Sequence, residues 1–352
     1  MNLDLPGWFV VHAMWTSAII AGVAGVVLAA LGDHRARLRY AVAYAGLLCM
    51  ILLPLAVTVT RVDFLSRTAR IEATGVVEQS IGFSAFVAWR QRLVGNAPLL
   101  WMLGATAVMV RVVKARRRTV ALRRDGRLDA AASLDPIVAD LSVRLGIRHS
   151  VTVLTSPLAN VPMVMGWRQP TIVLPVWTAE TLTRNHLEAV LAHELAHVRR
   201  RDYAANLLQV AVDTILWFHP ASRWLSQRAR LEREYCCDDL AVQVAGDARE
   251  YARALAGLED ARHEWPLAIG AASDTLLDRI QRVVGTPRRV LTPMRAMSAL
   301  LVALAVGLSI VTLAQIVPPA IPLNARLRTR TPPPAGTSLP ATGPMSPRSA
   351  QR

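Results

Sequence analysis

His193 and His197 lie in the stretch Leu187-Glu-Ala-Val-Leu-Ala-His-Glu-Leu-Ala-His-Val-Arg-Arg. On a helix this spacing puts both imidazoles on one face, one turn apart, where they can grip a single metal ion. Glu194 is rotated about 100° from His193, so it is placed to touch a water beside the metal and not the metal itself. Two ligands and one general base make the arrangement of a zinc peptidase. The competing reading is a pair of solvated histidines on a helix face beside a basic run. A second constellation weighs against it: Glu232-Arg-Glu234-Tyr-Cys-Cys-Asp238-Asp239, in a helical stretch opened by His219-Pro220. A zinc site with two histidines needs a third protein ligand, commonly a carboxylate on a separate helix. Glu234 fits that role, and Asp238, one turn later, can orient a ligand histidine from behind. The expectation is one Zn²⁺ per chain on His193, His197 and Glu234, with Glu194 as the catalytic base.

Other reactive residues read more plainly. Three cysteines cannot make a paired framework, and Cys49 lies inside an apolar run. Cys236 and Cys237 flank Glu234, either as auxiliary thiols or, the favoured reading, as small buried apolar residues. Asp202 could support a ligand, but an ion pair with a neighbouring arginine at the surface is the simpler expectation. His12, in the first apolar run, reads as an interfacial histidine.

The elements that must position these residues sit in an apolar chain. Of 352 residues, 53% are hydrophobic and 18% charged, with a mean hydropathy of +0.32, which suits a polytopic membrane protein better than a soluble one. The net charge of +15 would also suit a nucleic-acid binder. No DNA-reading motif accompanies it, however, and the basic residues gather beside apolar segments, as membrane orientation requires. Gly7 to Leu31 and Tyr40 to Thr60 are uncharged and long enough to span a bilayer, and Leu93 to Val110 is a shorter third span. Arg61 to Arg92 reads as a mixed-charge loop whose Ile81–Trp89 segment lies in the interface. Arg111, Lys114, Arg116, Arg117, Arg118, Arg123 and Arg124 then follow the third span as a cytoplasmic stop signal. Ala296 to Val317 is a fourth span. The last 35 residues hold 9 of the 21 prolines and read as an extended tail, dispensable for folding.

Between the third and fourth spans lies the one expected soluble region. Leu134 to Leu145 predicts a helix. Val151–Thr155, Met163–Met165 and Thr171–Leu174 predict short strands broken by Pro and Gly. The metal-binding helix is expected to start at Thr183 or Asn185 and to run on through Asp202 toward the apolar Leu207–Phe218.

Taken together, the chain resembles the BlaR/MecR family of bacterial membrane metallopeptidases. The resemblance rests on Pro162-Met-Val-Met-Gly-Trp-Arg-Gln-Pro-Thr-Ile-Val-Leu-Pro175, on His193-Glu-Leu-Ala-His-Val-Arg-Arg-Arg-Asp-Tyr203, on Phe218-His-Pro and on Glu234-Tyr-Cys-Cys-Asp238-Asp. It implies a mostly α membrane protein: four transmembrane helices with an inserted, gluzincin-like α+β zinc-peptidase domain. The expected order is three spans in 1–110, a cytoplasmic peptidase domain in 111–295, the fourth span in 296–317 and a Pro-rich tail in 318–352. It also implies the same zinc ligands, residence in the bacterial inner membrane, and a cytoplasmic protein substrate such as a small DNA-binding repressor, with no direct nucleic-acid binding. Relatives that sense β-lactams carry a penicillin-binding domain after the fourth span. With only a tail there and no Ser-x-x-Lys motif within it, direct covalent sensing is not expected. The rival readings are a general membrane quality-control protease and a non-catalytic signalling protein with a structural metal.

Overall fold

A computed structural model describes residues 4–72, 81–126, 133–263 and 273–285. Three long helices come first: α1 (Asp4–Ala30), α2 (Ala36–Glu72) and α3 (Ile81–Arg124). Each contains a stretch long and apolar enough to cross a membrane, within Leu5–Ala30, Ala36–Thr60 and Gly95–Arg124. The expected fourth span and the Pro-rich tail lie outside the described residues. The expected loop from Arg61 to Arg92 is mostly helical: α2 runs on to Glu72, and Ile81–Trp89 forms the opening turns of α3. The basic run from Arg111 to Arg124 continues α3, since it contains no Gly or Pro and half of its residues are Arg or Lys, good helix formers.

The remainder is small helices around a three-stranded sheet. After α4 (Asp135–Leu145) come β1 (Thr152–Ser156), β2 (Met163–Met165) and β3 (Thr171–Pro175). Their order is β1-β3-β2, with β1 parallel and β2 antiparallel to β3. β3 is buried along its whole length, as its unbroken apolar run requires, which leaves β2 as an edge. Gly166 turns the chain from β2 toward β3 at φ 84°, where a Cβ would meet the Gln169 carbonyl oxygen at 2.5 Å. Helices α5 (Val176–Thr181), α6 (Arg184–Arg200), α7 (Asp202–Ile215), α8 (Pro220–Ala245), α9 (Ala248–His263) and α10 (Ser273–Val284) complete the described chain.

Helix α8 belongs to two cores. Its first half packs Ala221, Leu225 and Ala229 against Ala21, Ala24 and Leu28 of α1, Leu47 and Met50 of α2, and Val212 of α7. Its second half packs Cys237, Leu240 and Ala241 with Leu191 and Leu195 of α6 and with Ile172 and Leu174 of β3. The apolar Leu207–Phe218 stretch therefore belongs with the membrane hairpin. There Trp217 packs against Gly104 of α3, where a Cβ would collide with its ring. His219 starts α8: its Nδ1 accepts from the Ala221 N–H at 3.1 Å, and its Nε2 donates to the Met14 carbonyl of α1 at 3.0 Å. His12 is buried, stacked on Trp8 and edge-on to Trp15.

A buried ion pair fastens the hairpin to α8. Arg39 donates to the Leu28 and Leu31 carbonyls at the end of α1 (2.7 and 2.8 Å) and to Glu232 at 2.8 Å. Arg228 reaches the same Glu232 oxygen at 3.0 Å.

Candidate metal centre

Helix α6 is capped by Thr183, whose hydroxyl accepts from the His186 N–H at 3.4 Å. It does not run on into α7. It ends at Arg201, the one non-glycine residue with positive φ among the described residues (φ 57°), and α7 starts at Asp202. The break has a structural use. In a straight helix Asp202 would lie about 140° around the axis from His197. Instead its Oδ2 sits 2.8 Å from His197 Nδ1, with Arg200 Nε donating to the same oxygen at 3.2 Å. Asp202 is thus buried beside a candidate ligand and also ion-paired with an arginine, where a surface pair was expected.

His193 and His197 stand with ring centroids 4.8 Å apart and planes at 90°. Helix α8 brings Glu234 to them, with Oε2 3.3 Å from His193 Nε2 and Oε1 3.8 Å from His197 Nε2. Ligands held at about 2.0–2.2 Å around a tetrahedral ion lie roughly 3.3–3.6 Å from one another, so the His193 pair matches one such ion and the His197 pair is slightly wide of it. The other ring nitrogens are occupied. His193 Nδ1 lies 3.2 Å from Asp238 Oδ1 and 3.0 Å from the Tyr251 hydroxyl, which itself donates to Asp238 at 2.7 Å. With Nδ1 of each ring directed at a carboxylate, Nε2 is the nitrogen of each ring that faces Glu234 and would take a metal in place of a proton. Two imidazole nitrogens and a carboxylate, each ring steadied from behind, fit a borderline cation such as Zn²⁺.

Arg279 on α10 closes one side. It donates twice to Asp238 (Nε to Oδ2 at 3.0 Å, Nη2 to Oδ1 at 2.7 Å) and lies 3.6 Å from Glu234. Burial and this guanidinium pull the His193 pKa down, but hydrogen bonds to Asp238 and Glu234 outweigh them and raise it to about 9. Burial would raise Asp238 and Glu234. Arg279 and the histidines overcome it and hold both carboxyls far below the usual range. Glu194 differs. Burial raises its pKa, and the two histidines offset this only in part.

Cys237 adds an S–H donor to Asp202 Oδ2 at 3.3 Å, and burial pushes its thiol, like that of Cys236, well above the ordinary range. Both cysteines are free and buried. A cavity of about 420 Å³ opens over the cluster, lined by Glu194, by Pro162, Met163 and Val164 of the β2 edge, and by Trp177, Val190, Leu255 and Leu258. Thus His193, Glu194, His197 and Glu234 meet around one space, with Asp238 directly behind. Sequence reasoning missed Tyr251 and Arg279. Neither stands in a motif, and the only local hint was the amphipathic pattern of α9 and α10 that presents them.

A model of the BlaR1 peptidase M56 family matches residues 84–283, more than half of the chain. The methicillin resistance mecR1 protein of Staphylococcus aureus is 28% identical over 123 residues, which cover 35% of this chain and 21% of that protein. The regulatory protein BlaR1 of Bacillus licheniformis is 24% identical over 139 residues, covering 40% of this chain and 23% of the relative. The matched segments therefore span less than a quarter of either relative's length. The chain belongs to the BlaR1 peptidase M56 family of membrane metallopeptidases.

Proposed function

We propose that the chain is a membrane-embedded zinc endopeptidase that cleaves a cytoplasmic protein, such as a transcriptional repressor, as a regulated step in signal transduction. The observation that carries this reading is Glu194, buried in the same cavity where His193 Nε2, His197 Nε2 and the Glu234 carboxylate converge. A purely structural metal site has no use for a carboxylate there.

His193, His197 and Glu234 would hold Zn²⁺, which would supply Lewis acidity to a peptide carbonyl and to an attacking water. Glu194 takes the proton from that water and passes it to the leaving amine. Asp238, Tyr251 and Asp202 keep the two rings aimed. An extended substrate pairs with the β2 edge, which has no partner on its outer side among the described residues and whose Met163 and Val164 line the cavity. The basic end of α3 supports a site on the cytoplasmic face of the inner membrane. The similarity to a regulatory protein and to methicillin resistance proteins supports a signalling role over general quality control.

The test is incubation of the solubilised full chain, loaded with zinc, with internally quenched peptides and with co-expressed candidate repressors. Cleavage that disappears on chelation supports the reading. A zinc-loaded chain that cleaves nothing under these conditions counts against it.

A further inference from the structure

Two arginines are buried among the described residues, Arg39 and Arg233. Arg39 is met by Glu232, by Asp33 and by two helix-end carbonyls. Arg233 is 8% exposed, yet its single hydrogen bond runs from Nη1 to the neutral Gln209 Oε1 at 3.5 Å, the outer limit for such a bond. A guanidinium carries five N–H donors and stays charged at any working pH. Burying one without an anion is strongly unfavourable, so the arrangement calls for a carboxylate from elsewhere.

The surroundings show where that carboxylate comes from. Arg233 directly precedes Glu234 and lines the same cavity as His193 and Glu194. Four acids share the cavity wall with Arg233, namely Glu194, Asp202, Glu234 and Glu259, and none lies within ion-pair distance of it: Asp202 is committed through Oδ2 to His197, Arg200 and Cys237, and Glu234 to the two histidines and Arg279. Gln209 is fixed in turn: its amide donates to the Ser226 carbonyl at 2.8 Å and hydroxyl at 2.5 Å, which aims its oxygen at Arg233. The guanidinium is therefore held in place and open to the cavity.

We propose that Arg233 determines substrate specificity by receiving a carboxylate of the bound peptide, either an acidic side chain near the scissile bond or a free C-terminus. This rests on the peptidase reading above, and it names the chemistry of the substrate.

The test uses the full zinc-loaded chain and quenched peptides carrying Asp, Asn or Lys at successive positions beside one scissile bond, each with a free or an amidated C-terminus. Wild type is expected to favour one Asp peptide over its Asn twin by roughly tenfold to a hundredfold in kcat/KM, the worth of a hydrogen bond to a charged group. A preference for the free terminus whatever the side chain assigns the carboxylate to the C-terminus instead. Arg233→Gln should lose the discrimination while still cleaving the neutral peptides, and Arg233→Glu should turn it toward Lys. Equal rates for Asp and Asn peptides with both termini in wild type overturn the proposal, and that comparison stands even if the variants fail to fold. Should no peptide be cleaved, the peptidase reading fails separately. Fluorescence anisotropy of the same peptides on the Glu194→Gln chain then decides: binding that ignores the carboxylate, or no binding, overturns the role of Arg233.

Discussion

The Tyr251 hydroxyl donates to Asp238 at 2.7 Å while lying 3.0 Å from His193 Nδ1, so helices α6, α8 and α9 jointly fix one imidazole ring. Tyr251→Phe should leave the fold intact, because Arg279 still holds Asp238, but loosen that ring. Partners behind a ligand typically contribute tenfold to a hundredfold in metal affinity. Competition for zinc against a chromogenic chelator measures this, and wild-type affinity in the Phe variant would show the contact to be idle.

His193→Ala and Glu234→Ala should each abolish stoichiometric zinc. Each removes one of the three groups whose ligand atoms lie within 4.8 Å of one another. Elemental analysis of purified variants provides the check. Undiminished zinc in both would remove the proposed site.

Glu194→Gln should keep the metal and lose cleavage. The amide preserves size but cannot take a proton at neutral pH. Since general-base catalysis contributes about 10²–10⁴-fold, a loss on the order of a thousandfold in rate is expected. Blotting for a co-expressed substrate or for self-cleavage would follow it. Wild-type rates with zinc retained would sink the assignment of the base.

Glu232→Ala should destabilise the chain by up to about 3 kcal/mol, because it takes the buried carboxylate from the Arg39 guanidinium and leaves it only the longer pair with Asp33 at 3.6 Å. A lowered thermal midpoint in detergent is the readout. The double variant Arg39→Met/Glu232→Leu should recover much of that loss, and no recovery would mean that the pair does more than satisfy its own charges.

A cytoplasmic reporter fused at residue 125, just beyond the basic end of α3, should be active, whereas an external one should be silent. The reverse pattern would reverse the orientation and exclude a cytoplasmic substrate.

The sequence by itself determined the periodic part of the molecule. His193 and His197 share a face because helical geometry is local, and Thr183 caps α6 for the same reason. The three strands were legible from Pro and Gly punctuation, and they fall within one residue of their expected ends. Uncharged length alone announced the three long apolar helices. Local pattern failed where a charged segment could be loop or helix, as between Arg61 and Arg92, since charge is compatible with both. It failed again at Arg201, where a residue that rarely adopts positive φ turns the chain.

Only the tertiary structure decided what surrounds the ligands. Asp202 meets His197 because α6 breaks, Tyr251 meets His193 across 58 residues of sequence, and Arg279 reaches Asp238 across 41. Arg233 was left without a carboxylate although acids flank it in sequence at Glu232 and Glu234. Successive residues on a helix point about 100° apart, so neighbours in sequence face different partners. Glu232 turns to the membrane hairpin, Glu234 to the histidines, and Arg233 to the cavity between them. Which group pairs with which depends on burial and approach in three dimensions, and a one-dimensional motif does not carry that information.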